Sequence, residues 1–180
     1  MTFVFLLYSL SKSLIMKKFI LLIVFVSALF SACTSDKTTT YYLIRHAEKD
    51  RTNNMNKNPN LNSQGLLRAK KWTKYFKDIK LDAVYSTDYN RTRQTAAPTS
   101  KSKNLIVQLY NPSKMYDSIF KKKTKGKAVL VVGHSNTTPI FANTILGQKK
   151  YKNIADNDNA SLYIVTVVND KKSSEIKKVN

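Results

Sequence analysis

The sequence predicts an α/β protein with a mainly parallel central sheet. Short apolar, β-rich runs alternate along the chain with stretches of helical spacing. One of those runs, AVLVV at residues 128–132, is apolar at every position, as a strand covered on both faces must be. A third observation bounds the answer: 180 residues, 42% of them hydrophobic, suffice for one core without disulfides, and no repeat or linker divides residues 41–170.

The elements follow in order. YYLIR opens the folded domain at Tyr41 as a strand, and the Asn-rich stretch from Asp50 to Asn60 reads as a loop. Asn62 or Ser63 can then cap a helix whose Leu66, Ala69, Trp72 or Thr73, and Phe76 share one face. DAVYS is a strand, NRTRQTAAPT a helix stopped by Pro98, and LIVQLY a strand. Asn111 and Pro112 mark a helix start with Pro in its first turn. AVLVV, the helical stretch TPIFANTILG and the strand SLYIVTVV complete the domain, and residues 171–180 read as a polar C-terminal tail.

Ahead of the domain stands an export signal over residues 1–32. Met16, Lys17 and Lys18 precede the apolar run FILLIVFVSALF, and Ser31 and Ala32 precede Cys33. A positive n-region, an apolar run of about a dozen residues and small residues at the cleavage point define such a signal. FSAC resembles a bacterial lipobox, which assigns lipidation to Cys33, the sole cysteine; Met16 is then the natural start. The uncharged run from Phe19 to Cys33 is 15 residues, short of the roughly 20 that span a bilayer core. TSDKTTT makes residues 33–40 a lipidated tether, and the expected location is exported and membrane-anchored.

Removing Lys12, Lys17 and Lys18 lowers the charge from +20 to +17. The lysines are dispersed, densest at KKKTKGK (Lys121 to Lys127), without aromatic interleaving or zinc-finger spacing. The expectation is a solvated basic surface near an anionic membrane rather than a nucleic-acid partner.

The chain holds only two histidines, and each directly follows an expected strand: His46 after YYLIR and His134 after AVLVVG. Ligands of open α/β sheets bind at the carboxyl ends of the strands, so both rings are expected in one crevice. A neutral imidazole can attack phosphorus near neutral pH, and the phosphoryl oxygens then need cations placed in advance. Arg45 adjoins His46, and Arg91 opens the helix after DAVYS. An arginine fork is the side chain best suited to a phosphate.

These residues resemble the histidine phosphatase superfamily, the phosphoglycerate mutase-like proteins, over residues 41–146. LIRHAE at 43–48 is similar to its Arg-His signature, STDYNRTRQTA at 86–96 to its second block, and VGHSNT at 132–137 to its second-histidine block. The resemblance implies a three-layer α/β/α sandwich and a metal-independent phosphatase needing no cofactor. It implies His46 as nucleophile, with Arg45, Arg91, His134 and Asn136 around the phosphoryl group, and Arg93 as a solvated helix residue. Between the second and third blocks the chain is short and Lys-rich, which favours a phosphatase over a mutase. The general acid stays open between Asp117, Glu48 and none. The expected partner is a small phosphorylated substrate or a phosphoprotein, phosphohistidine proteins included.

Other classes fit less well. A serine hydrolase built on Ser135 lacks the Gly its elbow needs at position 137 and has no later histidine. A metalloenzyme using both histidines with Glu48 or Asp88 lacks close ligand spacing. A non-catalytic phosphate-binding module would have no reason to keep His46, Arg45, Arg91 and His134 together.

Overall fold

The structure is a computed structural model and describes residues 37–180. The export signal, Met16, Cys33 and the tether up to residue 36 lie outside the described residues. The elements run β1 (Thr39–Arg45), α1 (Ser63–Tyr75), β2 (Ala83–Ser86), α2 (Asn90–Ser102) and β3 (Val107–Leu109), followed by a 3-10 turn (Pro112–Lys114). Then come α3 (Ser118–Thr124), β4 (Ala128–Gly133), α4 (Thr137–Leu146), β5 (Ser161–Val168) and β6 (Lys171–Lys178). The six strands lie in the order β3-β2-β4-β1-β5-β6; the first four are mutually parallel, and β5 and β6 are antiparallel to their neighbours.

Alternation along the strands makes the layers. Leu43, Tyr85, Val129, Val131 and Tyr163 point into one core with Phe120 of α3 and Phe141 and Ile145 of α4. Their neighbours Ile44, Val84, Leu130, Val132 and Leu162 point into the other with Trp72 of α1 and Ala96 of α2. Because strand side chains alternate faces, a run with no polar position needs helices on both sides. The result is the three-layer α/β/α sandwich. Among the described residues no helix is long and apolar enough to cross a membrane.

Four local expectations change. Asn62 caps α1, accepting from the Gly65 N–H at 2.8 Å, but Leu66 is half exposed and Gly65 takes the buried place. A Cβ on Gly65 would lie 2.1 Å from the Glu48 carbonyl oxygen, so only glycine lets α1 sit this close to the segment after β1. Pro98 does not stop α2, which continues to Ser102 because Thr95, Thr99 and Ser100 bury its inner face. Pro112 starts only the 3-10 turn; Tyr116, at φ 62°, breaks the chain there, and α3 begins afresh behind Asp117. Residues 171–178 are not a tail but the edge strand β6, folded back on β5 through Asn169 and Asp170, both at positive φ. Such a pair of left-handed residues is what a tight hairpin turn requires.

The register brings the ends of β1, β4 and β2 into line: Arg45 lies opposite Gly133, and Ser86 opposite Val132. His46, His134 and Thr87, one residue beyond each strand, therefore meet at one rim.

Candidate active site

His46 is 5% exposed and continues the ladder by one residue, its N–H donating to the Gly133 carbonyl at 2.9 Å. The Asn159 side-chain amide donates to the His46 carbonyl at 2.8 Å, and the Ala47 N–H donates to Thr95 Oγ1 at 2.9 Å, so the backbone is held on both sides. In the ring, Nδ1 lies 2.7 Å from the Ala47 carbonyl. A carbonyl only accepts, which places the proton on Nδ1 and the lone pair on Nε2. Burial, reinforced by the charges of Arg45, Arg91 and His134, lowers the ring to about 3. It is therefore neutral at pH 7, with Nε2 in the form of a nucleophile.

The second ring is fixed through hydroxyls. The Thr92 hydroxyl donates to the carbonyls of Thr87 and Tyr89, each at 2.9 Å, and the Thr87 hydroxyl donates to Thr92 Oγ1 at 3.0 Å. Thr87 Oγ1, its proton spent, accepts from His134 Nε2 at 2.9 Å. The His134 N–H is held by Thr137 Oγ1, also at 2.9 Å. Burial and then the charges of Arg91, Arg45 and Lys49 lower His134 to about 4. The two ring centroids are 5.5 Å apart.

Arg45 is almost wholly buried. Its Nη1 donates to the carbonyls of Ala155 and Asp156 at 2.9 Å and of Asp158 at 3.3 Å, and its Nη2 to Asp156 Oδ1 at 2.9 Å. Arg51 binds both oxygens of the same carboxylate at 2.8 Å. Those bonds, Arg51 first and Arg45 next, hold Asp156 below the usual carboxylate range. Arg91 lies over the Tyr89 ring, 4.4 Å from its centroid. The Nε–H groups of Arg45 and Arg91 are buried and have no partner among the described residues. Two orphaned guanidinium donors beside one cavity mark a place for an anion.

That cavity, of about 490 Å³, is lined by Arg45, His46, Arg91, His134 and Asn136, together with Lys49, Tyr89, Ser135 and Asp156. A second basin of about 890 Å³ adjoins it; Arg45, His46, Lys49 and Asp156 line both, and Glu48, Asp50, Arg51 and Asn157 continue the wall. Crowding by burial and by Arg51 and Arg91 lowers the Lys49 ammonium.

The structure thus brings His46, Arg45, Arg91, His134 and Asn136 together. Arg93 stands outside, paired with Asp88 at 3.0 Å. Asp117 lines neither cavity; it is the N-cap of α3, accepting from the Phe120 N–H at 2.8 Å. Glu48 borders the outer basin, with its Oε1 bound by Arg68 at 2.6 Å. Ser135 lines the cavity without a histidine partner among the described residues. No cluster of three or more metal-ligating side chains occurs among them. Sequence reasoning missed Lys49, Tyr89, Thr87 and Asp156. Only Lys49, three residues after His46, carried a signal, its nearness to the ring.

Two histidines and two arginines thus share one rim at the carboxyl ends of the parallel strands. Residues 41–111 match the model of the histidine phosphatase superfamily (branch 1). Among solved structures, the fold is similar to SixA from Agrobacterium tumefaciens, at 18% identity and TM-score 0.57 over 77% of this chain and 97% of that one. It is similar to the protein histidine phosphatase SixA complexed with tungstate, at 12% and 0.62 over 77% and 96%. It is also similar to phosphoglycerate mutase from Bacillus anthracis, at 16% and 0.59 over 79% and 93%. No curated protein sequence matches the chain. The fold is that of the histidine phosphatases.

Proposed function

We propose that the protein is a phosphohydrolase that works through a covalent phosphohistidine on His46. Nε2 donates its lone pair to phosphorus, and the bond to the leaving group breaks with its electron pair. Water then attacks the phosphoryl group, the P–N bond returns its pair to Nε2, and inorganic phosphate leaves. Arg45 and Arg91 hold the phosphoryl oxygens, and His134 and Asn136 border them. The carrying observation is the Ala47 carbonyl, which takes the Nδ1 proton and leaves Nε2 bare beside two unpartnered guanidinium donors.

Trapping tests this reading. Labelled substrate and a rapid quench should give a phosphoenzyme stable to base and labile to acid, absent in His46→Ala, with EDTA leaving turnover unchanged. An acid-stable phosphoenzyme would instead assign the nucleophile to a hydroxyl such as Ser135.

Among the described residues the candidate acids are committed elsewhere: Asp117 caps a helix, and Glu48 and Asp156 are ion-paired. An alkoxide leaving group needs such a proton. This supports substrates with easier leaving groups, namely acyl phosphates, pyrophosphates or phosphohistidine, the last in keeping with the similarity to SixA. A series of phosphate esters of graded leaving-group pKa decides: a steep fall in kcat/KM agrees, whereas a flat series made steep by Glu48→Gln or Asp117→Asn identifies an acid. Residues 1–33 support an exported lipoprotein anchored through Cys33; fatty-acid labelling that persists in Cys33→Ser would exclude it.

A further inference from the structure

The arginines of the protein are confined to one end, whereas lysines occur at both. All five arginines lie at or beside the pocket end, and each has a partner there: Asp156 for Arg45 and Arg51, Glu48 for Arg68, Asp88 for Arg93, and the Tyr89 ring for Arg91. The opposite end, where the parallel strands begin and α1, α2 and α3 finish, is built with lysine. Among the described residues its one lysine–carboxylate pair is Lys80 with Asp82, at 3.6 Å. Asp78 and Asp170 are the other carboxylates at this end.

Two features give this end shape. The last turns of α1 and α2 flank a groove of about 350 Å³ lined by Lys70, Thr73, Lys74, Lys77, Ser102 and Lys103. Lys103 donates to the Lys77 carbonyl at 2.6 Å, while the three other ammonium groups have no carboxylate partner among the described residues. Three residues after Lys103, Ile106 stands 84% exposed between α2 and β3.

The chain enters at this same end. Thr40 N–H bonds to the Lys127 carbonyl at 2.9 Å, and Gly126 lies against the Lys37 side chain. The apolar run FILLIVFVSALF and Cys33 precede Lys37, so five residues, at most about 20 Å of chain, separate Cys33 from Thr39.

We propose that this lysine end is a docking face for an anionic phospholipid surface. The headgroup phosphates sit at the α1–α2 groove, Ile106 enters the interfacial layer, and the pocket faces away. Lysine suits this partner because its mobile point charge follows a fluid array of phosphates, whereas the fixed arginine fork suits one held phosphoryl group. The seven residues of β1 separate face from pocket by roughly 20 Å, about two and a half Debye lengths at physiological salt, so the lipid field reaches the lysines and leaves the pocket to its substrate. The proposal concerns a different face from the chemistry at His46 and stands independently of it.

Full-length protein with Cys33→Ser, carrying one reporter thiol at Ile106→Cys or at Met55→Cys, tests it. Each is labelled with a fluorophore and mixed with phosphatidylcholine vesicles, with or without 30% phosphatidylglycerol, that contain a spin-labelled quencher lipid. Met55 is 87% exposed in the loop at the pocket end. With anionic vesicles, quenching at position 106 should exceed that at 55 at least threefold, and should disappear in 0.5 M salt. Lys74→Gln with Lys77→Gln should lower partition about tenfold. Lys125→Gln with Lys127→Gln, on a separate turn of the same face, provides a second check. Equal quenching at both positions, or quenching at 106 that is the same on pure phosphatidylcholine, would overturn the proposal. So would variants that lose binding to a DNA duplex while their vesicle quenching is unchanged, which would assign the face to nucleic acid.

Discussion

Thr87 Oγ1 accepts the Nε2 proton of His134 at 2.9 Å and has no proton left to return, because its own goes to Thr92. One hydroxyl at the end of β2 thus sets the tautomer of a ring at the end of β4. Thr87→Val should lower kcat/KM about tenfold, a loss near 1.4 kcal/mol, with KM less affected than kcat, and Thr87→Ser should restore most of it. A Thr87→Val protein with an unchanged rate and pH profile would show that His134 is oriented by its backbone alone.

Arg91→Ala should lower kcat/KM by about a hundredfold or more, the usual cost of removing a charged donor aimed at developing charge. Arg93→Ala, whose side chain is spent on Asp88, should change it less than about twofold. Equal losses at the two positions would mean that the phosphoryl group sits nearer the start of α2 than the cavity indicates.

Folding stability should depend on pH through the two histidines. Each titrates near 6.5 when unfolded, against about 3 for His46 and about 4 for His134 in the folded protein. Below pH 6.5 the unfolded chain binds protons that the folded site refuses, so stability falls as pH falls, and the loss ends only below the folded values. At pH 5 His46 alone should cost about 2 kcal/mol relative to pH 7. The depressed carboxylates, Asp156 among them, act in a lower window, below about 3.8. Thermal midpoints measured from pH 7 to 5 should drop, and His46→Asn should flatten the slope; a flat wild-type profile would show that both rings accept protons when folded.

Asp156 occupies the guanidinium groups that a substrate phosphate would seek. Asp156→Asn should therefore strengthen inhibition by inorganic phosphate several-fold, since Arg45 and Arg51 lose their internal counter-ion while the backbone carbonyls still hold the loop. Inhibition that weakens instead would make Asp156 a pure loop anchor.

Gly65→Ala should cost about 1–3 kcal/mol and perturb the site, because the Glu48 backbone it would strike leads directly back to His46. A variant as stable and as active as the wild type would mean that α1 shifts freely against this segment.

The sequence made the sandwich legible because each buried strand combined an unbroken apolar run with a punctuated end, and the histidines stood at two of those ends. Arg45, His46, Arg91, His134 and Asn136 were readable for the same reason: each lies within a few residues of a strand terminus, and parallel strands carry those termini to one rim. Asp156 and Thr87 were not, since their roles depend on which loop returns over the rim and where a hydroxyl proton points. Asp117 misled because a left-handed Tyr116 moves the helix start by several residues, turning an interior position into a cap. The strand Lys171–Lys178 was hidden because KKSSEIKK offers no apolar alternation; its evidence is the two-residue Asn-Asp turn before it.

That last strand also bears on self-association. A sheet edge is a template for a second chain unless it is blunted. Here one margin is β6, where Lys171 and Lys172 would face Lys178 and Lys177 of a second copy in the full-length antiparallel pairing. The other margin is β3, only three residues long and too short to hold a partner strand in register. Both margins of the six-stranded sheet are therefore poor templates for a further strand.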